Sequence, residues 1–113
     1  MTADGEAAFG RGLELMRRGR YFEAHEELEL AWRAAPPEER DFLQGLVHVT
    51  VAWYQAGRGR RVGAERQLAK AASRLQPYAP GHRCVDVASV LAQVAKAERR
   101  ARDGSLELEP LQI

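Results

Sequence analysis

Chain breakers recur along this sequence at Gly19, Pro36-Pro37, Gly57-Arg58-Gly59, Pro77 with Pro80 and Gly81, and Gly104. Each stretch between them is long enough for a helix of several turns and long for an ordinary strand. The first stretch predicts a helix from about Asp4 to Arg18, with Phe9, Leu13 and Met16 along one side and Gly19 ending it. The second runs from Tyr21 to about Ala35. Its apolar positions Tyr21, Ala24, Leu28, Ala31, Trp32 and Ala35 fall within little more than one quadrant at ~100° per residue. Pro37 followed by Glu38 and Glu39 suits the first turn of the next helix, where proline loses no hydrogen bond and acids meet the helix dipole. A fourth helix is expected from about Val62 to Tyr78, with Leu68, Ala71, Ala72 and Leu75 inward. A fifth is expected from about Asp86 to Arg102, with Asp86 as its cap and Val87, Val90, Leu91, Val94 and Ala97 inward.

The third stretch, to about Ala56, is ambiguous locally. Val47, Val49, Val51 and Trp53 alternate with His48, Thr50 and Ala52, as in a strand. A strand needs a partner, and the only other alternating piece is Leu106-Glu107-Leu108. As a helix, the segment gathers Asp41, Gln44, His48 and Gln55 onto one narrow polar ridge and leaves the rest apolar. A helix apolar nearly all round belongs at the centre of a bundle.

Short connections imply antiparallel neighbours. Residues 1–113 therefore read as a single all-α domain, a five-helix bundle of antiparallel helical hairpins with a short extended C-terminal tail. The tail, 105–113, carries Leu106, Leu108, Leu111 and Ile113 between acids, and is expected to cover part of the bundle or a second copy of the chain in a homodimer. A weak internal repeat supports the hairpins. Gly19, Ala24, Leu28 and Ala31 recur forty residues on as Gly59, Ala64, Leu68 and Ala71. This resembles the small and large alternation of tetratricopeptide helix pairs, although that family repeats every ~34 residues and has a tyrosine that the second unit lacks. The expectation is TPR-like packing without a TPR array.

Composition narrows the function classes. Hydrophobic residues at 45% and charged residues at 29% are a globular balance. The nearly apolar stretch Leu46–Tyr54 is far short of the ~20 residues that span a bilayer. No basic segment followed by an apolar run opens the chain, and Cys84 has no second cysteine to pair with, so a cytoplasmic protein is expected. Arg58, Arg60, Arg61, Arg66, Lys70, Arg74 and Arg83 face only Glu65 between residues 58 and 83. Such a stretch can neutralise phosphates, but it lacks the aromatic interleaving of single-strand binders, and nucleic-acid binding is disfavoured.

Chemistry is concentrated in Tyr21-Phe22-Glu23-Ala24-His25-Glu26-Glu27-Leu28-Glu29-Leu30-Ala31-Trp32. His25 and Glu29 are four apart and stack on one helical face beside Trp32, with Glu26 one turn before Glu29. Gln44 and His48 are four apart on the third helix. If the two helices form a hairpin, these polar edges converge into a pocket of His25, Glu26, Glu29, Trp32, Gln44 and His48. Each residue also has a structural explanation: a hydrogen-bonded histidine, a packing tryptophan, an amide tying helices together. Gly45 suggests a close helix approach, since glycine inside a helix costs ~1 kcal/mol.

The same phrase, with Leu43-Gln44-Gly45-Leu46-Val47 after it, resembles the small bacterial and archaeal "domain of unknown function 309" family over roughly residues 9–76. That resemblance implies an all-α bundle and a recurrent pocket at His25, Glu26, Glu29, Trp32, Gln44 and Gly45, and it brings no activity. From the residues alone, His25, Glu29 and His48 form a two-histidine, one-carboxylate set that would suit a metal. His-Glu-x-x-Glu is nevertheless not the zinc-protease motif, the Glu-x-x-His pairs of di-iron bundles are missing, and His82-Arg83-Cys84 adds two isolated ligands in a loop. No motif calls for a cofactor. Three readings stand: a non-enzymatic module binding a small ligand or peptide around His25, Glu29 and Gln44; a metal-dependent hydrolase-like enzyme using the same cluster; and a purely structural interaction module.

Overall fold

The computed structural model describes residues 1–113 throughout. It contains α1 (Ala3–Arg17), α2 (Tyr21–Arg33), α3 (Pro37–Gly57), α4 (Arg61–Leu75) and α5 (Val87–Arg102), with a 3₁₀ turn at Gln76–Tyr78 and no strand. The fold class is all-α, as the periodicity predicts. The helix starts follow from local chemistry. Thr2 Oγ1 accepts from Gly5 N at 3.0 Å ahead of α1, and Asp86 Oδ1 accepts from Ser89 N at 3.0 Å ahead of α5. Two ends differ from the sequence reading. α2 stops at Arg33 rather than Ala35, because Pro36 lies extended and its neighbours turn with it. α4 stops at Leu75, where Pro77 interrupts the ladder and the remaining turn tightens. No helix is long and apolar enough to cross a membrane.

The repeat seen in the sequence is a repeat of turns. Gly19 N donates to Met16 O and Arg20 N to Leu15 O; forty residues on, Gly59 N donates to Ala56 O and Arg60 N to Gln55 O. Both glycines are left-handed, with φ of +74° and +72°, where a Cβ would be strained. A third copy closes α5: Gly104 N donates to Ala101 O and Ser105 N to Arg100 O, with φ +92° at Gly104. After the first two turns a helix starts at once. After the third, Leu106–Ile113 runs back over the bundle as neither helix nor strand, with a tight turn at Leu106–Leu108, and Leu111 is buried.

Helices pack in chain order, each against the next, into a body of 42 × 25 × 20 Å. This order is consistent with stacked helical hairpins. α3 is the centre, with Phe42, Leu43, Leu46, Val49 and Thr50 fully buried. The Thr50 hydroxyl donates to Val47 O at 2.7 Å, so its burial leaves nothing unpaired. At Gly45 a Cβ would come within 2.6 Å of Leu75 Cγ and Cδ2, which puts the expected close approach between α3 and α4.

Two glycine substitutions separate helix propensity from packing. Gly10 lies exposed in α1 with nothing within 4 Å of a Cβ, so Gly10→Ala should raise stability by about 0.5–1 kcal/mol. Gly45→Val should lower it by about 2 kcal/mol, because fully buried Leu75 has to move. Urea titrations would measure both; a Gly45→Val chain as stable as wild type would mean that α3 and α4 do not meet there.

Candidate functional site

The α2–α3 hairpin brings Phe22 against Tyr54 and gathers His25, Glu29 and Trp32 of α2 with Gln44, Val47 and Val51 of α3 along one seam. The rings of Phe22 and Tyr54 lie 5.3 Å apart at one end of this seam, and Phe22 is 46% exposed. Two clefts of about 160 Å³ each open along it. One is lined by Glu29, Trp32, Arg33, Gln44 and Val47; the other by Tyr21, Phe22, His25, Val51, Tyr54 and Gln55.

His25 and Glu29 are the link between the clefts. His25 Nδ1 lies 2.5 Å from Phe22 O and donates to it, which leaves Nε2 as the acceptor of the neutral ring. That Nε2 stands 4.0 Å from Glu29 Oε1, so the two side chains stack but share a hydrogen bond only through something placed between them. Glu29 also faces Arg33 at 3.8 Å. The Arg40 guanidinium sits over the Trp32 ring, 5.4 Å from its centroid. The buried side-chain polar atoms without a partner are Trp32 Nε1 and Gln55 Oε1. Trp32 lines the first cleft, whereas the Gln55 oxygen is turned to α4, 3.5 Å from where a Cβ of Gly63 would stand.

Two residues of the expected set do not join it. Glu26 is exposed and has no ion-pair or hydrogen-bond partner. His48 turns to α4, where its Nδ1 donates to Gln67 Oε1 at 2.7 Å. Burial lowers its pKa from the ordinary histidine value; the Gln67 bond opposes this, while the charges of Arg74 and Lys70 reinforce it. The polar ridge of α3 is thus divided, with Asp41 and His48 engaged by Arg74 and Gln67 of α4, and Gln44 left facing α2. The convergence of His25, Glu29 and His48 on one metal does not occur, and nowhere do three or more His, Cys, Asp or Glu residues gather as a ligand set.

Residues 82–84 join a cluster that sequence reasoning treated only as isolated ligands. His82 and Val85 exchange backbone hydrogen bonds of 3.1 and 2.8 Å across a turn in which Arg83 and Cys84 are both left-handed, with φ of +49° and +62°. Side chains hold this uncommon backbone in place. Arg83 donates to Glu39 and, at 2.8 and 3.0 Å, to both Glu6 oxygens; its guanidinium lies over Phe9. His82 Nε2 pairs with Glu39 Oε2 at 2.6 Å, and its ring packs on Phe42 and Tyr78. Glu39, Glu6 and the turn therefore tie α3, α1 and the approach to α5 together. Glu39 is buried, which pushes its pKa up, but the hydrogen bonds and charges of Arg83 and His82 outweigh burial and hold it below its ordinary value. The signal in the sequence was only an acid in a helix's first turn.

Residues 9–67 match the family model described as a domain of unknown function, DUF309, and the chain belongs to that family. It is 37% identical over 67 residues to the uncharacterized protein YpuF of Bacillus subtilis (strain 168). That alignment covers 58% of this chain and 37% of the relative, so the chain spans well under two thirds of the relative's length. No solved structure matches the chain. The family match holds the whole α2–α3 seam and excludes the 82–85 turn, α5 and the tail.

The Glu39 cluster gives a pH-dependent outcome. A carboxylate with a depressed folded pKa stabilises above its unfolded value of 4.5, and that contribution is lost as pH falls through the folded value. Glu39→Gln should cost about 1.5–3 kcal/mol at neutral pH, the range of charge-assisted bonds. The gap between wild type and variant should close in acid below the ordinary carboxylate range. Denaturant titrations at both pH values test it, and a gap independent of pH would show that the charge of Glu39 contributes nothing.

Proposed function

We propose that this member of the DUF309 family is a non-catalytic cytoplasmic binding module whose ligand lies along the α2–α3 seam, around His25, Glu29 and Gln44. The observation that carries the reading is the buried, unpaired indole N–H of Trp32, a residue that lines one cleft with Glu29 and Gln44. An unpaired buried polar group costs about 1–3 kcal/mol, and a ligand that supplies an acceptor to this N–H removes that cost. Along the same seam, His25 Nε2 and Glu29 stand 4.0 Å apart, too far to satisfy each other.

The size of the clefts sets the class of ligand. About 160 Å³ is well below the roughly 300–1,000 Å³ of sites that enclose drug-sized molecules. Each cleft suits one small polar group or one peptide side chain, and exposed Phe22 provides an aromatic surface beside them. A small polar molecule, or a short peptide with two anchoring side chains, is the fitting partner. The hydrolase alternative loses its support with the departure of His48 to α4.

The reading predicts an unusual mutational signature, in which removing a polar group does not harm the fold. Trp32→Phe should leave stability unchanged or raise it by up to about 1 kcal/mol, because it removes an unpaired donor. Small polar molecules and short peptides screened by thermal shift should protect the wild-type chain, and the same compounds should fail with Trp32→Phe and with Gln44→Ala. A loss of more than about 2 kcal/mol in Trp32→Phe, with no compound distinguishing the chains, would favour the purely structural module.

A further inference from the structure

The tail is held on the bundle in the manner of a bound peptide. Four helices contribute a side chain to it, and most reach its backbone rather than its side chains. Arg100 of α5 donates to Glu107 O at 3.0 Å, and Trp53 Nε1 of α3 donates to Glu109 O at 2.9 Å. Tyr21 Oη, at the start of α2, accepts from Leu111 N at 3.1 Å. Gln93 of α5 clamps Gln112 from both sides, its Nε2 donating to Gln112 O and its Oε1 accepting from Gln112 N, each at 2.8 Å. Arg17 of α1 reaches Ile113 O at 3.3 Å. Contacts to N–H and C=O groups are available to any extended chain, and pockets for alternate side chains then supply selectivity. Here selectivity would come from the site that buries Leu111 and from the pair Lys96 and Arg100, which meet Glu109 at 2.8 and 3.4 Å.

The tail does not fill the space that these helices enclose. A half-open cleft of about 970 Å³, walled on one side by the tail itself, lies between the tail and the ends of α1 and α3, and Arg17 and Arg18 line it. The surface that holds the tail is therefore basic at both ends.

From these contacts we infer that the groove is a recognition site for an extended acidic peptide segment of a partner protein, which the chain's own tail occupies in the absence of that partner. The segment carries a leucine for the Leu111 site and an acid for Lys96 and Arg100, and it extends toward Arg17 and Arg18. This site shares Tyr21 with one α2–α3 cleft, but none of the residues changed in its test lines either cleft, so the test is independent of them.

The probe is a fluorescein-labelled peptide with the sequence of residues 106–113, titrated into full-length chains and read by anisotropy. In wild type the tethered tail competes at an effective concentration on the order of millimolar. Leu111→Glu and Glu109→Lys each weaken the tail's hold, one through its apolar anchor and the other through its charge, and neither alters a helix. Either variant, helical by circular dichroism, should bind the peptide at least tenfold more tightly than wild type. Adding Gln93→Ala should reverse that gain, and a peptide with lysine in place of both glutamates should not bind. No binding to either helical variant, or equal affinity for all chains, would overturn the inference and leave the tail a strap. Sedimentation of wild type alone covers the remaining occupant: a dimer held by exchanged tails would assign the groove to a second copy and overturn the partner reading.

Discussion

The burial of α3 on nearly all sides is the constraint on which the rest of the molecule depends. Phe42, Leu43, Leu46 and Val49 are withdrawn completely from solvent, each contributing about 1.5–3 kcal/mol, and α2 and α4 exist as stable helices by supplying the surfaces that cover them. The same helix provides one wall of every other feature. Gln44 and Val51 line the seam with α2, His48 meets α4, Glu39 anchors the turn before α5, and Trp53 receives the tail. A helix in this position has little tolerance for polar residues, and Glu39, His48 and Thr50 are each paired, while Gln55 Oε1 is buried without a partner.

That dependence explains what could be read from the sequence. The breakers and the 3.6-residue period located every helix, since both signals are local. The alternation of Val47, Val49, Val51 and Trp53 looked like a strand because β-branched residues are abundant wherever a segment is buried on several faces, and only the lack of a partner strand argued otherwise. The site was legible in part. Glu29, Trp32 and Gln44 line one cleft because spacing of three or four residues fixes a helical face, and a hairpin fixes which face meets which. His48 was misplaced for the same reason. Gln44 and His48 differ by only ~40° around the helix, and that is enough for one to face α2 and the other α4. Periodicity gives the angle of a side chain, but the boundary between two neighbouring helices is set by tertiary packing. The pairing of Glu39 with His82 and Arg83, and of Trp53 with Glu109, joins residues more than forty positions apart, and no local pattern encodes it.

The electrostatics divide in a similar way. Many surface ion pairs, such as Arg18 with Glu14 and Arg61 with Glu65, are exposed helix neighbours that contribute little. The Glu39 cluster is different because its carboxylate is buried and its partners come from a turn with two left-handed residues. Removing one member would leave the others unsatisfied, and the cluster compensates there for a backbone that its own residues do not favour.

The three glycine turns carry a geometrical consequence. Helix, turn and helix are built twice to one plan; on the third occasion the turn releases a chain, neither helix nor strand, that travels back across the helices already laid down. Its backbone meets a side chain of α5 at Glu107, of α3 at Glu109, of α2 at Leu111 and of α1 at Ile113, so every helix but α4 is met, one at every second residue. Slipping it by one residue would turn each of these carbonyls and amides away from its partner, so its register is fixed by four helices together rather than by any single contact.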